Sequence, residues 1–151
     1  MIKKWRLVAV VFLMAAGAGC TTSNEKASYK DESVEFLYNK AVDSAAAGNY
    51  RTAAPLFDEV ERQHPYSVWA TQAQLMAAYS LYQSNQYDEA VNALERFIQL
   101  NPSNPNTVYA YYLKGLSFYE RIVDVGRDQK ITKMALETFT ELIKRYPDSE
   151  Y

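Results

Sequence analysis

At 151 residues, with 16 Lys and Arg against 18 Asp and Glu, the chain is long enough for one modest domain. Its charge is too balanced for a nucleic-acid surface, which needs a basic patch. A single Cys excludes an internal disulfide, and Cys20 with one distant His, His64, cannot close a metal-ligand set.

The first element is a leader. In "MIKKWRLVAVVFLMAAGAGC", Lys3, Lys4 and Arg6 precede an apolar stretch from Leu7 to Ala16, and the small residues Gly17, Ala18 and Gly19 run directly into Cys20. Positive start, apolar core and small residues at a cut site make a secretory signal peptide over 1–19. The apolar stretch is shorter than the roughly 20 residues of a spanning helix. It resembles a bacterial lipoprotein signal, in which a Cys beside small residues receives a diacylglycerol and becomes the mature N-terminus. Gly17 stands where that signal most often has Leu, and the plainer alternative is a cleaved signal with an incidental Cys. The resemblance implies lipidation at Cys20, no cofactor being needed, and each buried CH₂ of an acyl chain contributes about 0.8 kcal/mol to anchoring. Thr21, rather than Asp, after the Cys implies the outer membrane as destination.

Removing 1–19 leaves 132 residues and takes the bases from 16 to 13 against 18 acids, a net charge of −5. From Thr21 to Asp31 ("TTSNEKASYKD") the chain is polar without an apolar period, so 20–31 reads as a lipidated Cys and flexible tether. Extended, those eleven residues span roughly 36 Å, enough to hold a domain clear of lipid headgroups.

Beyond Asp31 the pattern is helical, and it repeats. "GNYRTAAPLFDEVERQHP" (48–65) and "NQYDEAVNALERFIQLNP" (85–102) match at Tyr50 and Tyr87, Ala53 and Ala90, Phe57 and Leu94, Val60 and Phe97, and Pro65 and Pro102, each 37 residues apart. A third copy in "KMALETFTELIKRYP" (133–147) supplies Ala135, Phe139, Leu142 and Pro147. The pattern A-x₃-F-x₂-[apolar]-x₄-P resembles the second helix of a tetratricopeptide repeat. Ala permits close helix approach, the large residues fill the groove between helices, and Pro ends the helix. "YYLKGLSFY" (111–119) resembles the first-helix signature, with Tyr111, Gly115 and Phe118 in register and Lys114 in place of Leu. The fold predicted over 32–151 is all-α, a helix-pair solenoid of about three repeats. Its pairs are expected at 32–47 and 50–64, 67–84 and 87–100, and 106–123 and 129–146. Pro55 predicts a kink or a shortened first turn in its helix. The longer link "RIVDVGRDQKIT" (121–132) predicts an ordered loop or an extended helix end. Phe57, Leu94 and Phe139 should be buried between helices.

Anchor, tether and repeats together resemble the outer-membrane assembly lipoprotein family BamD (ComL) of the β-barrel assembly (Bam) complex. The most specific stretch runs from "RFIQLNPSNPN" through "YYLKG" to "RDQ" within 96–151, close to the alphaproteobacterial form. The family normally has five repeats, so the resemblance implies the N-terminal three, with a fourth beginning at Tyr151. It also implies BamA and other Bam subunits as partners, BamA being gripped in part by later repeats. Unfolded outer-membrane proteins are implied as substrates, and outer-membrane lipid as the anchor's seat.

Three readings of function follow. No Ser-His-Asp set, glycine-rich phosphate loop or acidic constellation suggests an enzyme, and His64 at a helix end reads as a capping or solvent residue. A binding module draws on the tyrosines. Positions 2, 5, 9 and 12 of each first helix, counted from Val34, Thr71 and Val108, line the concave face of such a solenoid. They place Tyr38, Tyr79, Tyr82, Tyr109, Tyr112 and Tyr119 there, with Val42, Leu75 and Leu116 between them and no basic residue among the twelve. That groove suits an extended peptide or helix with apolar and aromatic side chains, and the family implies the aromatic-ended last strand of unfolded barrel proteins. The plain alternative is that the rings pack between pairs, in a periplasmic tetratricopeptide scaffold lipoprotein that touches no substrate.

Overall fold

The computed structural model describes residues 33–122 and 129–151. The predicted signal peptide, Cys20 and the tether lie outside the described residues, as does 123–128 of the longer link. Six helices are described: α1 (Val34–Ala46), α2 (Tyr50–Gln63), α3 (Val68–Gln83), α4 (Tyr87–Leu100), α5 (Thr107–Tyr119) and α6 (Gln129–Arg145). They match the three expected pairs, with α5 ending four residues early.

Local chemistry sets the ends. Ser33 caps α1 by accepting from the Phe36 amide at 3.3 Å, and Ser67 caps α3 by accepting from the Ala70 amide at 3.1 Å. The turn inside the first pair is a left-handed C-terminal motif. Gly48, at φ 76°, donates to Ala45 O, and the Asn49 amide reaches back to Ser44 O. The second pair repeats it with Asn85 at φ 61°, donating to Tyr82 O, and Gln86 donating to Leu81 O. Asn is the residue that best tolerates this conformation after Gly. His64 closes α2, its backbone amide donating to Val60 O. Pro55 sits inside α2 without shortening its first turn. Lacking an N–H, it leaves the carbonyl of Arg51, one turn back, without its helical donor, and Arg51 is exposed to water. Of the longer link, 129–132 form the start of α6.

Each helix packs against the next along the chain, and first helices also pack against first helices, α1 on α3 and α3 on α5. Among the described residues the backbones of α2, α4 and α6 do not approach one another. The first helices therefore form the inner row of a curve and the second helices its outer row. This difference shows in burial. α2 and α4 bury one stripe each (Ala53, Phe57, Val60; Ala90, Leu94, Phe97), whereas α3 buries residues on several sides, from Ala73 and Ala77 to Leu75 and Ala78.

The core is a series of three-helix clusters. Leu37, Ala41, Phe57, Val60, Ala73 and Ala77 join α1, α2 and α3. Leu75, Ala78, Leu94, Phe97, Ala110 and Leu113 join α3, α4 and α5. The last cluster has Val91, Phe118 and Ala135 at its centre, with Phe139 only partly buried. Phe57 and Leu94 are fully buried as expected; Phe139 is only partly so, since among the described residues no first helix packs on the far side of α6. Equivalent positions make the same point: Ala54 and Val91 are 2% and 7% exposed, whereas Leu136 is 66% exposed. Phe139 instead leans into α5, where a Cβ on Gly115 would lie within 2.4 Å of its ring.

Candidate functional site

The inner row carries an open groove of about 430 Å³ between α3 and α5. Gln72, Leu75, Met76 and Tyr79 come from α3, Asn106 and Tyr109 from the start of α5, and Tyr151 from the segment after α6. Helical spacing explains the α3 set, since 72, 75, 76 and 79 share one face. At α5, Asn104 organises the entry: its side-chain oxygen accepts from the Asn106 amide at 2.9 Å, and its carbonyl accepts from Thr107 at 3.0 Å.

The rings are in mutual reach. Tyr151 stacks on Tyr112 with centroids 5.2 Å apart and tilts against Tyr109 at 5.4 Å, while Tyr109 and Tyr112 are 6.5 Å apart. Tyr79 stands edge-on to Tyr50 at 6.0 Å, and its hydroxyl accepts from Gln83 at 2.6 Å. The electrostatics are those of a poorly solvated, uncharged place. Burial, then the neighbouring Tyr79, Tyr151, Tyr82 and Tyr112, pushes the Tyr109 hydroxyl up to about 12. Burial also raises Tyr82, with Glu120 adding to the effect.

Of the eight groove residues expected from the sequence, the structure brings Leu75, Tyr79 and Tyr109 into this groove, with Tyr112 at its edge. Leu75 belongs mainly to the second core cluster and shows the groove little more than an edge. Tyr82 packs beside Tyr87 of α4 at 5.6 Å. Tyr38 lies in the first pair, 4.7 Å from Trp69 and 5.6 Å from Phe57, and Val42 packs on the same cluster. Leu116 supports the second core cluster, and Tyr119 is largely exposed at the far end of α5, near Ile122 and Thr132. Sequence reasoning did not name Gln72 and missed Met76, Asn106 and Tyr151. A signal for the last two existed: 37-residue spacing makes Asn106 the counterpart of Trp69, and Tyr151 follows Pro147 as Trp69 follows Pro65. Trp69 packs on Tyr38 and Tyr151 on Tyr112, the same repeat position two repeats apart.

Among the described residues no cluster of His, Cys, Asp and Glu is arranged to hold a metal ion, and no helix is long and apolar enough to cross a membrane.

Helix-pair packing, inner and outer rows and the repeat register define a tetratricopeptide-like solenoid. MamA (residues 41 to the end) from Desulfovibrio magneticus RS-1 has a similar fold, with a TM-score of 0.59 at 25% identity over 80% of this chain and 59% of that one. Residues 30–151 match the family model described as YfiO, outer membrane lipoprotein, and the chain belongs to this family. Curated relatives named outer membrane protein assembly factor BamD include that of Caulobacter vibrioides, 44% identical over 95% of this chain and 48% of the relative. That of Rickettsia prowazekii is 35% identical over 99% of this chain and 60% of the relative, and that of Neisseria gonorrhoeae 36% over 92% and 56%. The chain thus spans about half to three-fifths of the length of these relatives.

Proposed function

We propose that this chain is a non-enzymatic lipoprotein component of the outer-membrane β-barrel assembly complex, held at the outer membrane through acylated Cys20 and facing the periplasm. Its groove between α3 and α5 takes aromatic segments of unfolded outer-membrane proteins, while other surfaces meet BamA and further subunits. One observation carries the reading: a neutral aromatic groove set on rigid helices, in a chain whose relatives are named assembly factors. Rings fixed by helix packing offer contact area at low entropic cost, as a site for varied apolar sequences requires.

A second reading, a scaffold that touches no substrate, is favoured by Tyr151, which already covers part of the groove with a ring of this chain. Crosslinking in living cells separates the two. A photoreactive residue at Tyr79 or Tyr109 is expected to capture newly made outer-membrane proteins, and one at exposed Leu136 to capture subunits. Subunit adducts alone from Tyr79 and Tyr109 would support the scaffold.

A further inference from the structure

A chain of hydrogen bonds runs from the outer row to the start of α5 without entering the groove. Glu61 of α2 accepts from Gln74 of α3 at 2.7 Å. Gln74 Oε1 accepts from Asn101 Nδ2 at 3.1 Å, and the same Nδ2 donates to the Phe97 carbonyl at 3.1 Å. The Asn101 carbonyl then accepts from the Asn104 amide at 3.1 Å and from the Thr107 hydroxyl at 2.6 Å. None of Glu61, Gln74, Asn101 and Thr107 lines the groove, yet Asn106 and Tyr109, on either side of Thr107, do. The order of donors is forced. A carboxylate only accepts, so Glu61 draws the N–H₂ of Gln74 and leaves its oxygen facing Asn101, which must present N–H₂ in turn. Amides used at both ends offset the partial burial of Gln74 and Asn101. Arg96 pairs with Glu61 at 3.0 Å from the exposed side, and the path to Asn101 does not pass through it.

The neighbouring pairs are built differently at this place. Buried Leu37 and Tyr111 stand 37 residues before and after Gln74. His64, Asn101 and Tyr146 each precede a helix-ending Pro. Leu37 offers no side-chain hydrogen bond, and Tyr111 meets Tyr146 as a ring, with centroids 6.0 Å apart. The amide path therefore belongs to the middle pair, whose α3 and following turn frame the groove. Groups that read a ligand need holding to within about 0.5 Å by residues that do not touch it. Resting on the groove reading above, we propose that Gln74, oriented by Glu61, is a positioning residue for the groove. It fixes Asn101, Asn101 fixes the turn, and the turn sets where Asn106 and Tyr109 stand.

The test titrates the full chain against a labelled peptide of alternating apolar residues ending in Phe, by fluorescence anisotropy, with helix content followed in parallel. Gln74→Leu copies the side chain of the first pair. It should bind about fivefold more weakly or worse, with faster hydrogen exchange at the Asn104 and Thr107 amides. Gln74→Glu sets two carboxylates against each other and should lose as much. In Glu61→Gln/Gln74→Glu the new amide donates to the new carboxylate, which still accepts from Asn101. Affinity should then return to within about twofold of the unaltered protein, a recovery that mere loss of packing would not allow. Gln74→Leu binding within about twofold of the unaltered protein, or a loss that the double variant does not restore, overturns this inference. The groove reading survives that result if Tyr79→Ala/Tyr109→Ala abolishes binding. Binding untouched by Tyr79→Ala/Tyr109→Ala overturns the groove reading and this inference with it.

Discussion

The inner and outer rows are built from the same repeated pairs, yet they present opposite chemistry. On the inner row, Tyr79, Tyr109, Tyr112 and Tyr151 gather around an uncharged groove. On the outer row, charge is abundant and paired. Glu61 of α2 accepts from Gln74 of α3 at 2.7 Å and pairs with Arg96 of α4, and Gln74 in turn accepts from Asn101 at 3.1 Å. Arg62 pairs with Glu59 within α2, and Arg145 with Glu141 within α6. Packing explains the contrast. A second helix is covered on one stripe and must keep the rest wet, whereas α3, with helices on several sides, shows solvent only a narrow strip. A narrow strip carries aromatic side chains without a large exposed apolar patch. The lesson is that the repeat itself separates solubility from recognition.

Both rows rest on the same core, so the largest expected effect is common to them. Phe57→Ala removes a fully buried ring from the first cluster and should cost about 3–5 kcal/mol, read as a large fall in the thermal midpoint by circular dichroism. Phe139→Ala should cost less, because that ring is already partly open. Equal losses would mean that inner and last pairs are held alike, against the burial contrast between them.

Gly115→Ala sharpens the comparison within the third pair. The new methyl meets the Phe139 ring, and overpacking of this kind costs about 1–3 kcal/mol. The second pair meets the same need with Ala78 against Leu94, both fully buried. Gly115→Ala with Phe139→Leu copies that arrangement and should recover most of the stability. A double variant no better than the single one would refute the equivalence of the pairs.

Much of this was legible because the information is periodic. Pro65, Pro102 and Pro147 mark helix ends, Ala53, Ala90 and Ala135 mark close approaches, and 37-residue spacing ties the first two pairs together. The groove was legible as a face but not as a site. Position 5 of the repeat is a ring at Tyr38 and Tyr112 but falls into the core at Leu75, because α3 is pressed between neighbours on both sides. Met76 reaches the groove from the next position along α3, and periodicity has no means of showing that the segment after α6 brings Tyr151 back over α5. The half-open Phe139 escaped for a related reason: its burial depends on a helix on the far side of α6, which its own repeat does not supply.

Smaller effects test the electrostatics of each row. The proton held by Tyr109 to about 12, against 10.0 for an ordinary Tyr, means the unfolded chain releases that proton first as pH rises. Stability is unaffected below about 10 and is lost between about 10 and 12. Denaturant titrations across that window should show a shallower loss in Tyr109→Phe, which keeps the ring without the hydroxyl. A loss as steep as in the unaltered protein would place the alkaline sensitivity elsewhere. On the outer row, Arg96→Ala should cost only about 0.2–1 kcal/mol, less at high salt, because its pair with Glu61 is partly exposed.

The central claim is that the inner row binds aromatic segments and the outer row does not. Titrating a labelled aromatic-ended barrel peptide against Tyr79→Ala/Tyr109→Ala and against Arg96→Ala tests it most directly, with helix content monitored in parallel. Losing groove aromatics commonly costs a complex about 2 kcal/mol or more, so the tyrosine variant should bind about thirtyfold more weakly, while the Arg96 variant binds as the unaltered protein does. Unchanged affinity in the tyrosine variant, or an equal loss in the Arg96 variant, would contradict the claim.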